Sequence, residues 1–125
     1  MNKTVKDMVA EAKSTTGVVQ PEEAHGAGGV ILDVRETQEL AESGRVDAAV
    51  HVPRGFLEAR ADPTAESAHP PLTQAHGGAV PVYVLCASGA RAAMAAKTLT
   101  DMGYDAKPIE GGLKAWRECG LPVDE

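Results

Sequence analysis

Two short runs constrain this chain most: Val30-Ile31-Leu32-Asp33-Val34 and Pro81-Val82-Tyr83-Val84-Leu85. Each is apolar along most of its length, the pattern of a strand buried on both faces of a parallel sheet. A helical pattern follows each one. Glu36 to Glu42 reads as a short helix ended by Gly44, and an Ala-rich helix runs from about Ala90 to Met102, where Gly103 breaks it. Ala49-Val50-His51-Val52, closed by Pro53, and Tyr104 to Ile109 read as two further strands.

The remaining segments fit the same alternation. Thr4 caps a first helix with Val5, Met8, Val9 and Ala12 at helical spacing, reaching about Ser14, with Gly17 ending it. Val18-Val19 reads as a short strand. Pro21-Glu22-Glu23-Ala24 opens a second helix, stopped by Gly26, Gly28 and Gly29. Gly55 to Arg60 reads as a short helix, and Asp62 to Val80, rich in Pro, Gly, Ser and His, as the longest loop. Glu110-Gly111-Gly112 leads into a last helix carrying Leu113 and Trp116. Strands alternating with helices predict an α/β fold, a three-layer sandwich with a mainly parallel central sheet flanked by helices. The 125 residues suit one domain, 1–125, with its own core.

Composition removes several function classes. Apolar residues make up 43% of the chain, enough for a packed interior. The aromatic set is Phe56, Tyr83, Tyr104 and Trp116, too sparse for the stacking platforms of a single-strand nucleic-acid binder. The net charge of −6 argues against a partner held through phosphates, so no nucleic acid is expected. No apolar stretch is long enough to cross a membrane. Met1 to Met8 carry charges and no apolar leader core, and Cys86 and Cys119 form no CxxC pair. Both are therefore expected as reduced thiols in the cytoplasm.

The chemistry concentrates at Cys86-Ala87-Ser88-Gly89-Ala90-Arg91. A buried strand delivers the cysteine into a turn of small residues at a helix N-terminus. Backbone N–H groups and the positive end of the helix dipole converge there, and both favour a thiolate. Ala87, Ser88 and Ala90 let the backbone curl, and Gly89 is free to take positive φ, so that successive N–H groups form a nest for an anion. Arg91 adds fixed positive charge, able to stabilise the thiolate or receive an oxyanion. Ser88 can donate to the sulfur or cap the helix. A buried cysteine acting only as a small hydrophobe is the competing reading.

Other candidates carry less. Cys119 beside Gly120 has no loop or charge pattern to activate it and reads as a packing or semi-exposed residue. His25, His51, His69 and His76 form no ligand motif, so no metal is expected. Gly26-Ala27-Gly28-Gly29 precedes a strand and reads as a turn, not a nucleotide loop. Asp33 and Arg35 suit a structural ion pair at a strand end. Arg54, Glu58 and Arg60 suit either a pocket rim or a solvated helix face.

Taken together, these residues resemble a rhodanese-like domain. The resemblance spans Ile31-Leu32-Asp33-Val34-Arg35-Glu36, His51 to Glu58, the Cys86 to Arg91 loop, Ala95 to Leu99, Met102-Gly103-Tyr104 and Glu110 to Trp116. It implies a sulfurtransferase without metal or organic cofactor. Cys86 would take the outer sulfur of a small anionic donor such as thiosulfate, becoming a persulfide. It would then yield that sulfur to cyanide or a thiol acceptor in a ping-pong cycle. The amides of Ala87, Ser88, Gly89, Ala90 and Arg91 would stabilise the sulfur anions, with Arg91 docking the donor. A monomer or a homodimer is compatible with this. The chain departs from the family at Gly44-Arg45-Val46-Asp47-Ala48-Ala49, where relatives often read Gly-His-Ile-Pro-Gly-Ala, and at Ala87, often basic in relatives.

Two alternatives remain at this level. Phosphatases and arsenate reductases of related architecture also use a cysteine, a looped backbone and an arginine, but with five residues between Cys and Arg where this chain has four. A rhodanese-like interaction module without catalysis is the other, expected mainly where the cysteine is lost.

Overall fold

The computed structural model describes residues 2–125. Its centre is a four-stranded parallel sheet in the order β2-β1-β3-β4, with β1 at Val30–Asp33, β2 at Val50–His51, β3 at Val82–Leu85 and β4 at Ala106–Pro108. The two apolar runs are the two central strands, as their composition requires. Leu32 pairs with Val84 on one side of β1 and with Val50 on the other.

Alternation along the strands splits the interior in two. Leu32, Val34, Val82, Val84 and Cys86 point to one face, where they meet Ala92, Ala95, Ala96 and Leu99 of α6 (Ala90–Asp101). Leu57 and Ala61 of α4 (Leu57–Ala61) and Leu72 of α5 (Pro70–Thr73) complete that layer. Helix α1 (Val5–Thr16) packs along α6 and against β4. Ile31, Tyr83 and Leu85 point the other way, toward Ala24 of α2 (Pro21–Gly26) and Leu113 and Trp116 of α7 (Gly112–Glu118). The result is the expected three layers. The alanines of α6 let that helix lie close to the sheet, and Trp116, fully buried, fills the wider opposite layer.

Helix ends follow the local chemistry. Thr4 closes a capping box with Asp7, and α1 runs two residues beyond Ser14 before Gly17 stops it. Helix α3 (Thr37–Ser43) is capped through Glu36 and Glu39. Val18-Val19 contributes one parallel bridge, Val19 to Ile109, instead of a full strand. The segment from Asp62 to Val80 is more ordered than a loop: Pro70-Pro71 start α5, and a 3₁₀ turn follows at His76–Gly78.

Candidate active site

The site begins with strand periodicity. Val82, Val84 and Cys86 share a face, so the cysteine emerges from the carboxyl end of β3 directly beneath the first turn of α6. Gly89 caps that helix at φ +115°, a left-handed conformation open to glycine. The turn brings two peptide groups onto the sulfur: Gly89 N–H donates to Cys86 Sγ at 3.0 Å and Ala92 N–H at 3.4 Å. Cys86 is only 1% exposed, whereas Ala87 and Ser88 face solvent.

A second helix start supports the loop from behind. Leu113 N–H donates to the Cys86 carbonyl at 2.8 Å, and Lys114 N–H to that of Ala87 at 3.2 Å. These unpaired amides of the first turn of α7 find partners in the loop, so each element satisfies the other. The fit leaves no room at Gly112. A Cβ there would lie 2.5 Å from the Cys86 carbonyl oxygen and 2.8 Å from the Ala87 carbonyl.

Arg91 lies in the first turn of α6, and its guanidinium is already engaged. It grips Glu39 with two hydrogen bonds, of 2.6 and 2.8 Å. Glu39 also accepts the Glu36 N–H at 2.9 Å. The Arg91 hydrogen bonds hold the Glu39 carboxyl down at about 2. The same hydrogen bonds raise Arg91, and the Cys86 sulfur adds to the rise through its charge. Nothing in the local sequence announces Glu39, which lies 52 residues away.

The other candidates fall into place around this centre. Asp33 and Arg35 are both 1% exposed and form a buried pair at 2.7 Å, and Arg35 also donates to the Gly44 carbonyl at 2.9 Å. They tie the end of β1 to the end of α3, the structural role their position suggested. Ser88 makes no side-chain hydrogen bond among the described residues, and Gly89 takes the capping position. Arg54 pairs with Glu58 at 3.1 Å, while the Arg60 guanidinium lies 5.6 Å from the centre of the Phe56 ring. Cys119 is exposed at the far end of α7, where partial desolvation and a hydrogen bond with Glu22 push its thiol up. His76 faces the Met102 carbonyl at 2.8 Å.

A cysteine cradled by peptide N–H groups at the carboxyl end of a parallel strand, under a helix N-terminus, defines a class of α/β proteins with a cysteine loop at that end of the sheet. Within that class the rhodanese-like domain family matches residues 18–119. A solved structure from Rhodopseudomonas palustris CGA009, of unknown function and described as a candidate tyrosine phosphatase, is similar at TM-score 0.89 and 33% identity, over 99% of this chain and 96% of that one. The polysulfide-sulfur transferase homodimer of Wolinella succinogenes is similar at TM-score 0.68 and 32% identity, over 94% of this chain and 85% of its own. A curated relative, YrkF of Bacillus subtilis (strain 168), described as a candidate sulfur carrier protein, is 35% identical over 87 residues, 69% of this chain. The chain spans 40% of that relative's length. The chain belongs to the rhodanese-like domain family.

Proposed function

We propose that the protein is a sulfurtransferase in which Cys86 carries one sulfane sulfur as a persulfide. Family membership and relatives named for sulfur transfer support sulfur handling in general. What carries the finer reading is the pair of N–H groups, of Gly89 and Ala92, on the Cys86 sulfur. With thiosulfate as donor, the Cys86 thiolate attacks the outer sulfur. The S–S bond of thiosulfate breaks, sulfite leaves with the bonding pair, and a Cys86 persulfide anion remains. Cyanide then takes the terminal sulfur as thiocyanate, or a thiolate takes it as a new persulfide, and the Cys86 thiolate returns. The two peptide N–H groups favour the ionised Cys86 sulfur that attacks the donor and that returns at the end of the cycle. Arg91, gripped by Glu39, fixes the first turn of α6 beside the loop.

A phosphatase reading draws on the similarity to the Rhodopseudomonas palustris protein. Four residues between Cys86 and Arg91 make a small cradle, suited to a single sulfur more than to a tetrahedral phosphate. Intact-mass measurement after thiosulfate treatment tests the proposal. The expected result is a gain of one sulfur atom, absent in Cys86→Ser. Turnover of p-nitrophenyl phosphate without thiocyanate production would overturn it in favour of the phosphatase.

A further inference from the structure

The charges beside Cys86 offer little to a free dianion. Arg91 is held by Glu39 and Arg35 by Asp33, and Glu36 lies close enough to Arg91 to act on it through its charge. Two arginines thus face three carboxylates before the cysteine ionises. Arg54, the next cation along this end of the sheet, is held by Glu58. Arg60 differs: it makes no ion pair among the described residues and donates only to the Ser67 carbonyl, at 3.2 Å.

Arg60 lines a cleft of about 480 Å³ with His51, Phe56, Glu66, Ser67 and His69. Phe56 is 57% exposed, an uncovered apolar surface under the Arg60 guanidinium. The cleft opens at the carboxyl end of β2. Val52 and Leu85 each bond to β1, through the Asp33 carbonyl and the Val34 N–H, so two strand spacings, roughly 10 Å, separate this rim from Cys86. Val52 and Cys86 also belong to the same layer of the core. That span and volume suit a small peptide, not a five-atom oxyanion.

From this arrangement, and resting on the sulfurtransferase reading, we infer that the cleft holds the body of an amino-acid or peptide thiol, with its carboxylate on Arg60, its ammonium group on Glu66 and its carbon chain over Phe56. Such a thiol reaches Cys86 as its persulfide. The Cys86 thiolate attacks the outer sulfur of this hydropersulfide: the donor's S–S bond breaks, a new one forms to Cys86, and the proton of the outer sulfur passes to the departing thiolate, leaving the Cys86 persulfide anion and the free thiol. Thiosulfate, lacking a body to occupy the cleft, uses the cysteine loop alone.

Steady-state kinetics with glutathione persulfide and with thiosulfate, on wild type, Phe56→Ala and Arg60→Gln, tests the cleft. Removing a charge-assisted contact is expected to raise KM for glutathione persulfide roughly tenfold, with little change in kcat and none in kcat/KM for thiosulfate. Equal effects on both donors, or none on either, would overturn the inference. Titration of the wild type with the unreactive S-methylglutathione, followed by amide NMR shifts, reads the cleft apart from turnover and apart from variant folding. Shifts at residues 51–69 support the site, and shifts elsewhere or none refute it. A wild type that binds S-methylglutathione there but transfers no sulfur from either donor would refute the sulfurtransferase reading and leave the cleft standing as a thiol-binding site.

Discussion

Single residues show one cost that the fold absorbs and one gain that depends on pH. Ala48 sits at φ +65°, the one non-glycine residue with positive φ among those described. It occupies the position where the family pattern often has glycine, the residue that adopts this left-handed conformation freely. Ala48→Gly is therefore expected to stabilise the protein by about 1 kcal/mol, read as a higher urea midpoint at unchanged slope. Glu39 is the second case. Its folded-state pKa of about 2 lies below the ordinary value of 4.5 because Arg91 binds the ionised form. Its contribution is complete above pH 4.5 and drains away as pH falls through 2, since the unfolded chain takes up the proton first. Thermal unfolding as a function of pH should show Glu39→Gln less stable than wild type at pH 6, with the two curves converging near pH 2. A constant gap over that range would exclude the ion pair as its cause.

At the scale of elements, the cysteine loop is a product of two helix starts, and the second is the more restrictive. Gly112→Ala places a methyl against the Cys86 and Ala87 peptide, backbone that cannot swing aside, at φ +60°. The expected cost is roughly 2–4 kcal/mol, together with at least a tenfold loss of sulfur transfer. Gly120→Ala is the control: its φ is +76°, yet nothing lies within 4 Å of the added methyl. That variant should lose about 1 kcal/mol and keep full activity. Equal behaviour of the two variants would mean that α7 does not support the loop. The parts of this assembly were unequally legible. Strands β1 and β3 and helix α6 announce themselves because burial on both faces demands unbroken apolar runs and close packing demands alanine. Cys86 and Gly89 stand at an unambiguous strand-to-helix junction. The grip of Arg91 on Glu39, and of Leu113 N–H on the Cys86 carbonyl, left no local trace, since both join segments distant in sequence and brought together by sheet order. Helix α5 lies in a stretch that reads as loop because Pro70-Pro71 sits among Pro63, Gly77 and Gly78, although proline is well suited to a first turn.

Across the whole molecule, charge sets the approach to the site. The chain carries −6, and the arginines nearest Cys86 are matched by carboxylates. A dianionic donor therefore meets repulsion on the way in, with only peptide N–H groups to receive it. Raising ionic strength from about 10 to about 150 mM, which shortens the screening length to about 8 Å, is expected to increase kcat/KM for thiosulfate. A decrease would reveal an unmatched cation at the loop. The cradle itself has a different kind of independence. Gly89 N–H, Ala92 N–H, Leu113 N–H and Lys114 N–H are all main-chain groups, which every amino acid but proline supplies. The contacts that hold the Cys86 loop are thus written in the path of the chain instead of in its polar side chains. Surrounding positions are free to drift, and new partners can be acquired at the rim, while two glycines and one cysteine keep the centre intact.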